Sequence, residues 1–128
     1  RAFLRLWLRE AHDLCNTGAR HDQFEIREGD AVFLVGSEGD QEWPFFPDQR
    51  FVRKFLAEAT GRGKFLSLFD TSGGAAISVA HGGAKKTVTL GISARNAASV
   101  VGNFSRNGLH PVNHRLSTEE VMSWLKCN

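Results

Sequence analysis

Lys64-Phe65-Leu66-Ser67-Leu68-Phe69, running directly into Asp70-Thr71-Ser72-Gly73-Gly74, is the stretch on which the fold turns. A short apolar run ending at a glycine turn reads as a strand buried on both faces, and the small-residue segment 75–81 after it reads as a helix. Thr87-Val88-Thr89-Leu90 repeats the strand pattern. Ser93 is placed to cap a second helix with Ala97, Val100, Val101 and Phe104 in one apolar stripe, and Asn107-Gly108 closes it with residues that tolerate the left-handed conformation. A weaker third strand falls at 112–116. Ser117, with Glu120 three residues on, forms a capping box ahead of a last helix that puts Val121, Trp124 and Leu125 on its core face. Strand and helix in alternation predict an α/β fold with a parallel sheet.

Upstream the pattern is different. Leu4, Trp7, Leu8, Ala11 and Cys15 recur at helical spacing and predict an amphipathic first helix that ends by Gly18. Phe24-Glu25-Ile26-Arg27 and Ala31-Val32-Phe33-Leu34-Val35 flank Glu28-Gly29-Asp30, a β-hairpin with glycine at the turn. A glycine-, proline- and acid-rich connector covers 36–47. Asp48 then offers an N-cap to a helix expected to bury Phe51, Val52, Phe55 and Leu56 and to stop at Thr60-Gly61. The chain thus divides into 1–47, holding helix, hairpin and connector, and 48–128, holding the alternating part.

The 128 residues suffice for one core but are short for a complete doubly wound enzyme. Arg1 stands in place of a methionine, which suggests a processed, trimmed or partial chain. No apolar run approaches the roughly 20 residues of a membrane span. Cys15 and Cys127, at opposite ends, form neither a disulfide framework nor a metal knuckle, which points to a reducing compartment such as cytoplasm or mitochondrial matrix. The formal charge is only +2, but no carboxylate occurs between Thr71 and Thr118, a window that holds Lys85, Lys86, Arg95, Arg106 and Arg115. That window is either an RNA-facing positive field or a solvated basic surface.

Other motifs are weaker. Gly61-Arg62-Gly63-Lys64 follows a helix and precedes a strand, the reverse of a phosphate-binding loop. His110 and His114 are separated by Pro111 and have no acid or cysteine at ligand spacing, so no metal is expected. Ser72 and Ser93 lack the elbow of a hydrolase nucleophile. Trp7 and Trp124 read as core residues, and Trp43 in the connector is the one tryptophan placed to stack on a base.

Taken in order, Phe46-Pro47-Asp48-Gln49-Arg50, then Phe65 through Gly74, Gly82-Gly83-Ala84, and Ser93 through Asn103-Phe104-Ser105-Arg106-Asn107-Gly108-Leu109 resemble the class I S-adenosylmethionine-dependent methyltransferases that modify large-subunit ribosomal RNA. The resemblance implies half of a Rossmann-like sheet, strand order 3-2-1. It implies a pocket in which Asp70, Thr71, Ser72, Gly73 and Gly74 contact the methionine part of S-adenosylmethionine, with Asp48, Gln49 and Arg50 as a flanking wall. Gly91 and Ser93 fall where the family carries an acid for the ribose hydroxyls, in a Val-Asp-x-Ser pattern, so cofactor binding is expected to be weak or lost. The family's acceptor-positioning Asn- or Asp-Pro-Pro motif has no match, and no catalytic residue is assigned. The implied function is a non-catalytic methyltransferase-like domain associated with RNA or the ribosome, with ribosomal or assembly proteins covering an exposed sheet edge. The alternatives are an N-terminal piece of an active ribosomal RNA methyltransferase and a protein-interaction module that uses that edge.

Overall fold

The structure, a computed structural model, describes residues 21–38 and 41–127. The expected first helix, with Leu4, Trp7 and Cys15, lies outside them. Strands β1 (His21–Glu28) and β2 (Ala31–Glu38) form the hairpin, paired from His21↔Glu38 to Glu28↔Ala31. Gly29, at φ 59°, supplies the left-handed residue its turn requires. The expected connector is partly strand: β3 (Gln41–Trp43) returns against β2 and completes an antiparallel sheet of order β1-β2-β3. Three residues among glycines and acids carry too little alternation to be read as a strand.

Helix α1 (Arg50–Thr60) follows a 3-10 turn at Pro47–Gln49. Strands β4 (Lys64–Leu68), β5 (Lys86–Leu90) and β6 (His114–Leu116) then build a parallel sheet, with α2 (Gly74–His81) and α3 (Ala94–Arg106) as crossovers and α4 (Val121–Cys127) after β6. Its order is β4-β5-β6, which places the second strand of the three at the centre. The core joins the two sheets: Ala31, Phe33 and Val35 of β2 pack with Ala76 and Ile77 of α2, Val100 and Phe104 of α3, and Ile92. Each such large side chain contributes about 1.5–3 kcal/mol relative to an exposed one. No helix of the described residues is long and apolar enough to cross a membrane.

Several local expectations are corrected. In α1, Phe51, Val52 and Phe55 are 81%, 56% and 66% exposed, and the buried residue is Arg53. Its guanidinium donates to both carboxylate oxygens of Glu28, at 2.6 and 2.8 Å, and to the Phe46 carbonyl at 3.0 Å, and it lies 4.4 Å from the centre of the Phe45 ring. A half-buried carboxylate at the hairpin end needs a cation, and that demand decides which face of α1 turns inward. Asp48 is no cap, since it lies inside the 3-10 turn and Gln49 precedes the helix. In α3, Val101 is 53% exposed while Asn103 is buried, so the inner stripe is Ala97, Val100, Asn103 and Phe104. The capping box is replaced by Glu120 acting alone, its two oxygens accepting from the Met122 and Ser123 amides at 2.9 and 2.7 Å. Ser117 accepts instead from the Glu119 amide, and Leu125 is 44% exposed.

Candidate ligand cleft

β4 ends at Leu68, and the chain turns sharply at Phe69, the one described non-glycine residue at positive φ, 57°. Its amide donates to the Leu90 carbonyl at 2.9 Å, extending the ladder one step while the ring is left 67% exposed. Asp70 then folds back on the turn. Oδ1 accepts from the Ser72 and Gly73 amides at 3.2 and 2.9 Å, and Oδ2 accepts from the Ser67 hydroxyl at 3.2 Å. Ser72 Oγ accepts from the Gly74 amide at 3.2 Å. The turn thereby satisfies its own amides before α2 starts.

Gly73 has a structural reason of its own. At φ 78°, a Cβ added there would lie 2.7 Å from Phe104 Cε2. Close packing of the Phe104 ring therefore requires this glycine, where the sequence suggested an opening for a ligand. α3 also grips the turn by its carbonyls: Ser99 Oγ donates to Thr71 O at 3.4 Å, and Asn103 Nδ2 donates to Ser72 O at 3.1 Å.

Beside the turn is a cleft of about 390 Å³. It gathers Gln49, Asp70, Thr71, Ser72 and Gly74 of the expected set, together with Phe46, Arg53 and Phe69. The volume is in the range of small-ligand sites. Other expected members lie elsewhere. Asp48 is exposed, and Arg50 lines a separate hollow of about 630 Å³ with Glu28, Asp30 and His81. Ser93 caps α3, its Oγ accepting from the Asn96 amide at 3.2 Å. Gly91, at φ 70°, faces Val121 and Phe69, whose atoms would lie 2.8 and 3.0 Å from an added Cβ.

Sequence reading missed Phe46, Arg53 and Phe69 as parts of this wall. Arg53 is one of two cations inside an otherwise apolar turn of α1, and only the pairing of Glu28 with it, 25 residues away, distinguishes it from Lys54. The basic residues do not form one patch. Lys85, Lys86, Arg95, Arg106 and Arg115 are all exposed, but Arg95 and Arg106 occupy the first and last turns of α3, about 16 Å apart at 1.5 Å per residue. His114 Nδ1 lies 3.1 Å from Thr87 Oγ1, and burial lowers its pKa below the ordinary imidazole value. Hydrogen bonds from the Met122 and Ser123 amides hold the exposed Glu120 carboxyl below the usual range. No group of three or more metal-ligating side chains occurs among the described residues.

No protein-family model matches the chain. It is 32% identical over 108 residues to the ribosomal RNA large subunit methyltransferase K/L of Desulfotalea psychrophila, covering 84% of this chain and 15% of that protein. The corresponding protein of Alcanivorax borkumensis is 34% identical over 100 residues, 78% of this chain and 14% of that one. The chain therefore spans about one seventh of the length of these relatives. Among solved structures, an S-adenosylmethionine-dependent methyltransferase from Streptococcus mutans superimposes with a TM-score of 0.71 at 29% identity, over 82% of this chain and 28% of that one. One from Agrobacterium tumefaciens gives a TM-score of 0.75 over 88% and 37%; at 21% identity it speaks to the fold alone. With its parallel β4-β5-β6 sheet and its glycine turn after β4, the chain is a Rossmann-like relative of one segment of the ribosomal RNA large-subunit methyltransferases.

Proposed function

We propose that the chain is an RNA methyltransferase-like domain that keeps the amino-acid end of an S-adenosylmethionine site, has lost its grip on the ribose, and works in association with RNA without catalysing methyl transfer. The observation that carries this reading is the cleft at the carboxyl end of β4, where Gln49 meets the Asp70–Gly74 turn. Ligands of open α/β sheets bind at that end of the strands. The cleft fits the small amino-acid portion of the cofactor, with the Thr71 and Ser72 region and Gln49 as its polar wall. The ribose end fits poorly: Gly91 has no carboxylate, and Phe69 and Val121 occupy the space a side chain would need. When bound, the cofactor would supply an electrophilic methyl group; what these residues do is orient its amino-acid end.

A hydrogen-bonding carboxylate contributes about 1.5–3 kcal/mol, so its loss weakens binding by roughly one to two decades. Calorimetric titration is expected to give a dissociation constant no tighter than about 100 µM. Low-micromolar binding would overturn the weakened-site reading.

A second reading, a portion of a longer active enzyme, is supported by the outer edge of β4. Among the described residues that edge has no strand beside it, and Leu66 and Leu68 are each 41% exposed. The coding sequence after Asn128 decides between the two. A further strand ending in an Asn- or Asp-Pro-Pro motif favours the enzyme, and a stop codon favours the non-catalytic domain.

A further inference from the structure

The Gly61-Arg62-Gly63-Lys64 turn joins α1 to β4 at the end of the parallel sheet opposite the cleft. Its neighbours are cationic. Lys64 opens β4, Lys86 opens β5, and the parallel register sets the two directly opposite one another. Adjacent strands lie about 4.8 Å apart, so two ammonium-bearing side chains leave the same end of the sheet side by side. The Lys85 amide donates to the Gly63 carbonyl at 3.0 Å, which ties the Arg62 turn to the start of β5. All four side chains are exposed, and none forms an ion pair among the described residues. α3 crosses from β5 back to the parallel β6, so its last turn returns Arg106 to this end as well.

Like charges placed directly across a strand pair are destabilising, and a fold selected for stability alone would alternate their sign. We propose that this end of the sheet docks the phosphate backbone of an RNA, with Arg62, Lys64, Lys85 and Lys86 as its contacts. The proposal rests on the RNA-associated reading above and relocates it: RNA is held at the amino-terminal ends of the strands, away from the cofactor cleft. None of the four is aromatic, so the surface grips phosphates without stacking on bases, and binding is independent of sequence.

The test titrates the protein with a short RNA hairpin at several potassium chloride concentrations, without cofactor, so that a failed cofactor site leaves the result readable. Replacing Arg62, Lys64 and Lys86 with Ala should weaken binding at least about tenfold and flatten the plot of log affinity against log salt by roughly 2, given a slope of about 0.7–0.9 per phosphate contact. Lys126→Ala should leave both unchanged. Lys64→Glu should lower RNA affinity while raising the melting temperature, because Lys86 gains an opposite charge across the ladder. That combination separates lost contact from lost fold. The proposal is overturned if the triple variant keeps its affinity and salt slope, if the wild type shows no salt-dependent RNA binding, or if polyglutamate competes as well as RNA.

Discussion

Gly91 invites a simple repair, since restoring a carboxylate there would give the ribose hydroxyls an acceptor. Its backbone argues against that outcome. The residue is left-handed at φ 70°, and an added Cβ would meet Val121 Cγ2 at 2.8 Å and Phe69 Cδ1 at 3.0 Å. Gly91→Asp is therefore expected to destabilise the fold by about 1–3 kcal/mol without improving cofactor affinity. Thermal melts and a parallel titration check both halves. Adding Val121→Ala should recover part of the loss, because the two positions touch and their effects couple. A Gly91→Asp protein as stable as wild type would show that Val121 gives way. Two groups contribute a pH dependence of definite sign. The folded pKa of His114 lies below its unfolded value, so its contribution is complete above about 6.5 and is lost as pH falls through the folded value. Glu120 is also depressed, so the stability its capping of α4 supplies is complete above about 4.5 and is lost as pH falls through its lower folded value. Melting temperature followed from pH 8 to 3 should fall in two steps, and His114→Gln should remove the upper one. Ser93 was legible as a cap because capping is local; the crowding at Gly91 depends on Val121, thirty positions on, and was not.

At the scale of elements, α3 is the part that ties the hairpin to the cleft. Asn103 is 1% exposed; its Oδ1 accepts from the Leu34 amide at 2.8 Å while its Nδ2 donates to the Ser72 carbonyl at 3.1 Å. One turn later, the Asn107 side chain takes the Val32 amide at 2.9 Å and gives to the Val32 carbonyl at 2.6 Å. The two amides cover groups along an edge of β2 much as another strand would. Asn107 Oδ1 can only accept, so His81 Nε2, at 2.9 Å, carries the proton in that contact. Asn103→Ala leaves a buried donor and a buried acceptor unpaired and should cost about 2–6 kcal/mol, at roughly 1–3 for each orphaned group. Hydrogen exchange should speed up at Ser72 and Gly73 in that variant and stay slow in Asn107→Ala, which does not touch the turn. Equal exchange in both would remove Asn103 from the control of the cleft. Neither asparagine's contact with β2 was readable: Asn107 was legible only as part of the Asn107-Gly108 stop, and a polar position such as Asn103 in an amphipathic helix defaults to solvent. In α1 the same default failed in the other direction, with Arg53 buried and the phenylalanines outside.

Across the whole molecule, the alternation of strand and helix was legible because β4 and β5 are short runs of apolar and β-branched residues and Ser93 caps α3, while the three-residue β6 gave only a weak signal. What periodicity could not supply was which apolar faces stay open. Register puts Leu66 and Leu68 on the same face as Val88 and Leu90, while Phe51 and Phe55 point outward from α1 and Phe69 stands at the end of β4. Phe65 and Ser67 point to the opposite face, where Phe65 packs against the cluster that holds Ala76 and Ile77 of α2 and Ser67 is buried. Phe51, Phe55 and Phe69 are each more than 60% exposed, and β4 has one edge unpaired among the described residues; exposed rings and an open edge both favour association. The chain on its own is therefore expected to self-associate as its concentration rises, which sedimentation velocity would register as a growing fast-moving fraction. Phe51→Ser with Phe55→Ser should suppress that fraction and leave the melting temperature nearly unchanged, since neither ring contributes to the core and exposed substitutions typically act within about 0.5 kcal/mol. Leu66→Lys should act in the same direction by placing a charge on the edge strand. If the double variant instead melts well below wild type, the α1 phenylalanines are packed in solution, and the inward face of that helix is not fixed by the Arg53–Glu28 pair alone.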